Sequence, residues 1–160
     1  GVVQAVTQRV VSGNTKVIGK ILTADGVVEY QLTGDYETYA SAEDIVNKVV
    51  YAEIDDNEAT LTVLSPVQAG FKRVKLVTSS QITIITSEYN DTVTEAVYNY
   101  TRDILWLDGQ VSIVEVDDFV EYTVSQITTR PVAPYKDDMV VLFVHPDDDD
   151  TTVLVGVVKK

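Results

Sequence analysis

From Val2 to Val158 the sequence is a succession of Val- and Thr-rich runs cut by turn-forming clusters, among them Ser12-Gly13-Asn14, Asp25-Gly26 and Asp147-Asp148-Asp149-Asp150. β-Branched side chains hold few rotamers and pack well on a pleated surface, so short runs of them bounded by Gly, Asn and Asp read as strands. Many such strands with little helical pattern between them define an all-β chain. Hydrophobic residues make up 45% of the 160 residues. That is enough to close a core, and it sets the chain apart from compositions that stay disordered.

Gly1 to Val11, Thr15 to Thr23 and Val27 to Leu32 are expected strands. The first two join at Ser12-Gly13-Asn14. The next two join across Ala24-Asp25-Gly26, where Asp-Gly suits a type I′ turn with both central residues at positive φ. Ser41 with Asp44 three positions on has the form of a capping box and predicts a short helical turn over 41–44. Val46 to Ile54 and Ala59 to Leu64 form a hairpin about Asp55-Asp56-Asn57-Glu58. After Ser65-Pro66 the expected strands are Phe71 to Val77, Gln81 to Thr86, Thr94 to Thr101, Ile104 to Leu107, Gln110 to Val116 and Phe119 to Gln126. Their turns fall at Ser79-Ser80, Tyr89-Asn90-Asp91 and Asp108-Gly109. Arg130 to Asp138, with Pro131 and Pro134, reads as a loop, and Met139 to Val144 with Thr151 to Val158 as a last hairpin.

Pro66 cannot sit in a central strand and biases Ser65 away from helix, so it marks the best boundary. The expected organisation is two small β-barrel or β-sandwich units in tandem, residues 1–66 and 67–160. The alternative is one continuous β domain over 1–160, in which the terminal runs can pair with each other. A duplication is expected, in one of two registers. One lays Val28-Glu29-Tyr30 over Val120-Glu121-Tyr122, and Tyr51 to Asp56 over Phe143 to Asp148. The other lays Glu29 to Asp35 over Val97 to Asp103, and Val49-Val50-Tyr51 over Phe119-Val120-Glu121.

Acidic residues outnumber basic ones 25 to 12, a net charge of -13, which repels phosphate backbones and anionic lipid surfaces and argues against nucleic-acid partners. With no Cys, disulfides, thiolate catalysis and Cys-based zinc sites are excluded. No apolar run reaches the length of a membrane span, and no signal-peptide pattern opens the chain. Its start at Gly1, inside a strand run, implies a longer parent.

No residue stands out as catalytic, cofactor-binding or metal-ligating. Asp147 to Asp150 is read as a solvated hairpin tip rather than a Ca²⁺ site, since alternating ligands and a sharp-turn Gly are missing, and Asp55 to Glu58 is the same case. His145, the only His, is read as a turn residue, because nothing in the sequence places a nucleophile beside it. Among 25 acidic residues, pairs at the spacing of a glycosidase arise by chance and carry no signal. Tyr98, Tyr100 and Trp106 are the better lead. They fall on neighbouring runs, and a surface row of such rings is one way β modules stack on sugars, core packing being the other reading. Asn90-Asp91-Thr92 and Asn99-Tyr100-Thr101 match the glycosylation acceptor pattern, which matters only on a eukaryotic secretory route.

The rhythm of Thr23-Ala24-Asp25-Gly26, strand Val27 to Leu32, acidic turn Glu43-Asp44 and strand Val49-Val50-Tyr51 ending in Asp55-Asp56-Asn57 resembles the strand-rich repeats of Gram-positive S-layer and S-layer-homology-anchored surface proteins. Ile104 to Gly109 followed by Val116 to Tyr122 is similar. The chain departs from that family in lacking an anchor repeat and in carrying Asp118 where such repeats usually have Gly. The resemblance implies a non-catalytic structural or interaction segment at the bacterial cell surface. Its partners would be neighbouring surface domains or cell-wall polysaccharide, and no cofactor or functional residue is carried over. The absence of Cys fits that setting. The alternative function is a carbohydrate-binding or calcium-dependent adhesion module that uses the aromatic strip.

Overall fold

The computed structural model describes residues 1–108, 111–112, 115–116, 120–122, 126–127, 129, 138–147 and 151–159. The expected turn at Gly109, the tip residues Asp148 to Asp150 and most of the Pro-containing loop lie outside them. The chain is all-β, its described residues forming two large sheets and a two-stranded ribbon.

The first sheet holds β1 (Val2–Val11), β2 (Asn14–Thr23), β3 (Gly26–Thr33), β4 (Val50–Asp55) and β5 (Glu58–Val63), in the order β1-β2-β3-β5-β4. Turn chemistry fixes its hairpins. Ser12 and Gly13 take φ of 49° and 81° between the paired Val11 and Asn14, the double positive φ of a type I′ turn. At β2–β3 the expectation needs correcting. The turn residues are Ala24-Asp25, Thr23 stands opposite Gly26, and Gly26 alone of the three takes positive φ, at 107°. Thr23 Oγ1 accepts from the Asp25 N–H (3.3 Å) and donates to the Gly26 carbonyl (2.9 Å). That hydroxyl lets Asp25 stay at negative φ and moves the glycine one place later.

After β3 the chain makes a 3₁₀ turn (Gly34–Tyr36) and one short helix, α1 (Tyr39–Glu43). The cap of α1 is Thr38, whose hydroxyl accepts from the Ser41 N–H at 3.3 Å. Ser41 therefore sits inside the helix instead of capping it, since Thr38 arrives extended with its oxygen at the right spacing. The strand expected from Val46 begins at Val50, because Asn47 turns the chain at φ 66°. β3 and β5 pair in parallel over Gln31–Thr33 and Glu58–Thr60. The residues ahead of β4 then return to β1. Val2 bridges Val49 antiparallel, the Val3 N–H bonds the Lys48 carbonyl (3.1 Å), and the Val50 N–H bonds the Gly1 carbonyl (2.9 Å). The pairings thus run in a closed ring.

The second sheet contains β6 (Lys72–Val77), β7 (Gln81–Tyr89), β8 (Thr92–Asp108), β11 (Val120–Tyr122), β12 (Met139–Val144) and β13 (Thr152–Lys159), while β9 (Val111–Ser112) and β10 (Glu115–Val116) form a separate ribbon. β8 replaces two expected strands. Nothing between Thr101 and Ile104 breaks it, and it changes partner instead, lying on β7 up to Asn99 and parallel to β13 from Asn99 to Asp108. Here too the pairings close a ring, β6-β7-β8-β13-β12 and back to β6.

The two rings have the same order and the same sense at every step, including one parallel step. They also agree in register. Val74 N–H bonds the Asp138 carbonyl (3.1 Å), as Val3 bonds Lys48. The Asn99 N–H bonds the Thr151 carbonyl (2.9 Å), as Gln31 bonds Asn57 (2.9 Å). Each first strand shifts register once, after Val3 in β1 and after Val74 in β6.

One buried cluster lies within the first sheet (Val3, Val17, Ile21, Leu32, Val50, Leu61) and one within the second (Val74, Ile82, Ile84, Tyr98, Trp106, Leu142). A third joins them, with Val2, Val49 and Leu64 packed against Leu105, Leu107, Val141, Phe143, Val155 and Val157. This third cluster carries core contacts across Pro66. The segment after Leu64 lies along β12, held by the Val67 N–H on the Leu142 carbonyl at 2.9 Å. The terminal strands do not pair with each other, β1 being bonded to β2 and β13 to β8 and β12.

Candidate functional site

Tyr98, Tyr100 and Trp106 are 7%, 6% and 4% exposed, so they form no ligand face. Their environment explains why. In β8 each pairs with residues of the ring, and Trp106 lies beside Gly156 of the parallel strand. A Cβ at Gly156 would meet the Trp106 ring at 2.0 Å, so the glycine is the space in which the indole lies flat. Tyr100 stands edge-on to Trp106 with centroids 5.8 Å apart. Its hydroxyl donates to the Thr78 carbonyl, and burial pushes its pKa up. Tyr98 accepts from Gln68 Nε2 at 3.1 Å, which ties the strand to the segment after Pro66. The strip is core, as alternating aromatics on half-buried strands usually are.

His145 ends β12. Its Nδ1 accepts from the Asp147 N–H at 3.1 Å, and its ring lies 4.5 Å from that of Tyr51, tilted by 58°. Both contacts hold a turn and a seam between the sheets, and neither places a nucleophile. Asp55, Asp56 and Glu58 are exposed at the β4–β5 tip, where Asp56 takes φ of 52°. Among the described residues no three His, Asp or Glu side chains gather as metal ligands. No helix among them is long and apolar enough to cross a membrane.

A cleft of about 210 Å³ lies where the two sheets meet. Tyr30, Tyr51, Ile54 and Thr23 line one side and Asp103, Leu105 and Leu154 the other. It is smaller than typical ligand pockets of roughly 300–1,000 Å³. Among the described residues Asp103 is the one carboxylate in its lining, whereas glycoside hydrolysis uses a facing pair. Sequence reasoning missed this cleft because its two walls come from opposite sides of Pro66. Comparisons with protein-family models, curated proteins and solved structures find no match to this chain.

Proposed function

We propose that the chain is a non-catalytic structural segment of a bacterial secreted or cell-surface protein of the S-layer type, made of two small Greek-key barrels, 1–66 and 67–160, descended from one ancestor. The observation that supports this is the double occurrence of one strand order with matching register shifts and matching inter-strand hydrogen bonds. In this reading the repeated β units act as spacers between neighbouring domains. Small Greek-key barrels also serve as oligonucleotide- and oligosaccharide-binding modules, but fold alone carries no function, and the strip that would have stacked on sugar is buried.

In this reading the partners are neighbouring domains of the same parent and adjoining surface proteins. The test is surface shaving. Brief protease treatment of intact cells expressing the full parent should release peptides of this segment while cytoplasmic markers stay whole. Protection of the segment until lysis would sink the assignment.

A further inference from the structure

The β1–β2 hairpin is longer than the ring needs. β3 pairs with β2 only from Ile18 onward, so residues 8–17 form a two-stranded arm, rooted at the buried Val17, whose outer edges meet no strand among the described residues. In the second ring the corresponding hairpin, β6–β7, turns at Thr78 to Ser80 and has no such arm. The arm adds little to a core, with Thr7 to Thr15 exposed throughout. Yet it carries Val10 and Val11, 70% and 38% exposed, and it holds Arg9 and Lys16 with no acidic residue between Thr7 and Val17, on a chain of net charge -13. Arg9 and Lys16 stand directly opposite each other, a like-charge pair that costs stability unless an anion sits near. Glu29 serves Arg9, at 3.0 Å.

The complement lies on the same molecule. At the β4–β5 tip Glu53, Asp55, Asp56 and Glu58 are all exposed around Ile54, itself 47% exposed. Because Val2 and Val49 are antiparallel, β1 runs from that bridge toward the arm tip, and the chain through β4 runs the opposite way to Asp55. A basic apolar projection and an acidic apolar one thus leave the first sheet in opposite directions.

We propose that the β1–β2 arm docks on the β4–β5 tip of a second copy of this chain, head to tail. Such a contact does not close on itself, so it propagates copies in a row. This deepens the structural role proposed above and rests on it for its biological setting, although the association itself is a property of the isolated chain. At physiological salt the screening length is about 8 Å, so the repulsion between the two net charges is damped while pairs in contact persist.

The test is sedimentation equilibrium of the chain near 0.15 M salt over a wide concentration range, beside Lys16→Glu and Asp55→Lys, each checked for its fold by circular dichroism. The expected result is concentration-dependent association of the unmodified chain, weakened at least tenfold in either variant and restored when the two variants are mixed, since each then meets the opposite charge. A chain that stays monomeric at every concentration overturns the proposal, as does association that Lys16→Glu leaves unchanged. Lysine-sensitive binding of an anionic cell-wall polymer by a monomeric chain would assign the arm to that polymer and also overturn it. Surface location is read by shaving and oligomeric state by sedimentation, so either reading can fail without the other.

Discussion

Two single residues test the packing most directly. At Gly156 a methyl group would meet the Trp106 ring at 2.0 Å, and Tyr100 already stands edge-on to that ring. Gly156→Ala is expected to destabilise the fold by about 1–3 kcal/mol, the usual range for overpacking a core, read as a lower denaturant midpoint at unchanged slope. Its indirect readout is the emission of the sole Trp, which should shift red in the variant and stay unquenched by cell-wall polysaccharide in the parent chain. At Gly1 the amine donates to the Val50 carbonyl at 2.8 Å, and burial lowers its pKa to about 5. The unfolded chain therefore binds a proton between pH 5 and 8 that the folded chain does not. Stability should be full above pH 8 and fall toward pH 5, with a slope of up to about 1.4 kcal/mol per pH unit. A chain extended before Gly1 has an amide at this place and should lack that slope, which urea titrations at several pH values will show.

At the scale of elements, local turn chemistry places the hairpins and is legible in the sequence, save that at β2–β3 the Thr23 hydroxyl moves the glycine one place later. Ser12-Gly13 and Asn90-Asp91 both sit at positive φ between strands of opposite direction. Asp91, at φ 62°, is held where Gly is at ease and a β-branched residue is not. Asp91→Gly should hold or raise stability and Asp91→Val lower it by about 1–2 kcal/mol, measured by thermal unfolding. What was not legible is what needs distant partners. The two parallel pairings, β3 with β5 and β8 with β13, join residues far apart in sequence, and no local pattern announces them. The run from Thr92 to Asp108 looked like two strands because its apolar alternation lapses at Thr101 to Asp103, where it is changing partners. One expected register lays β3 over β8, which hold the same place in the two rings with Tyr30 opposite Gly19 and Tyr98 opposite Ile82, while its other half lays Val50 over Val120. The pairings put Val50 with Val140, because the excursion between β8 and β12 is longer than the one between β3 and β4. The aromatic strip misled for a related reason, since period two gives a shared face but not which side is water.

The whole molecule is governed by its third apolar cluster. Residues 1–66 alone would bare Val2, Val49 and Leu64, and residues 67–160 alone would bare Phe143, Leu107 and Val157. Expressed separately, each half should be less stable than within the full chain, and the full chain should unfold in one transition by both fluorescence and circular dichroism. Phe143→Ala, at a fully buried position of that cluster, is expected to cost about 3–5 kcal/mol and to lower that single midpoint without splitting it.

Seen as a mechanical part, the seam makes the chain a link that bears load as one piece. Tension applied at its two ends reaches the first ring through β1 and the second through β13, and the side chains packed between Leu64 and Phe143 stand in its path. A series of independent beads would lengthen in small increments. This chain should hold and then give way at once, releasing roughly 500 Å of extended backbone from its 160 residues in a single step of a force trace.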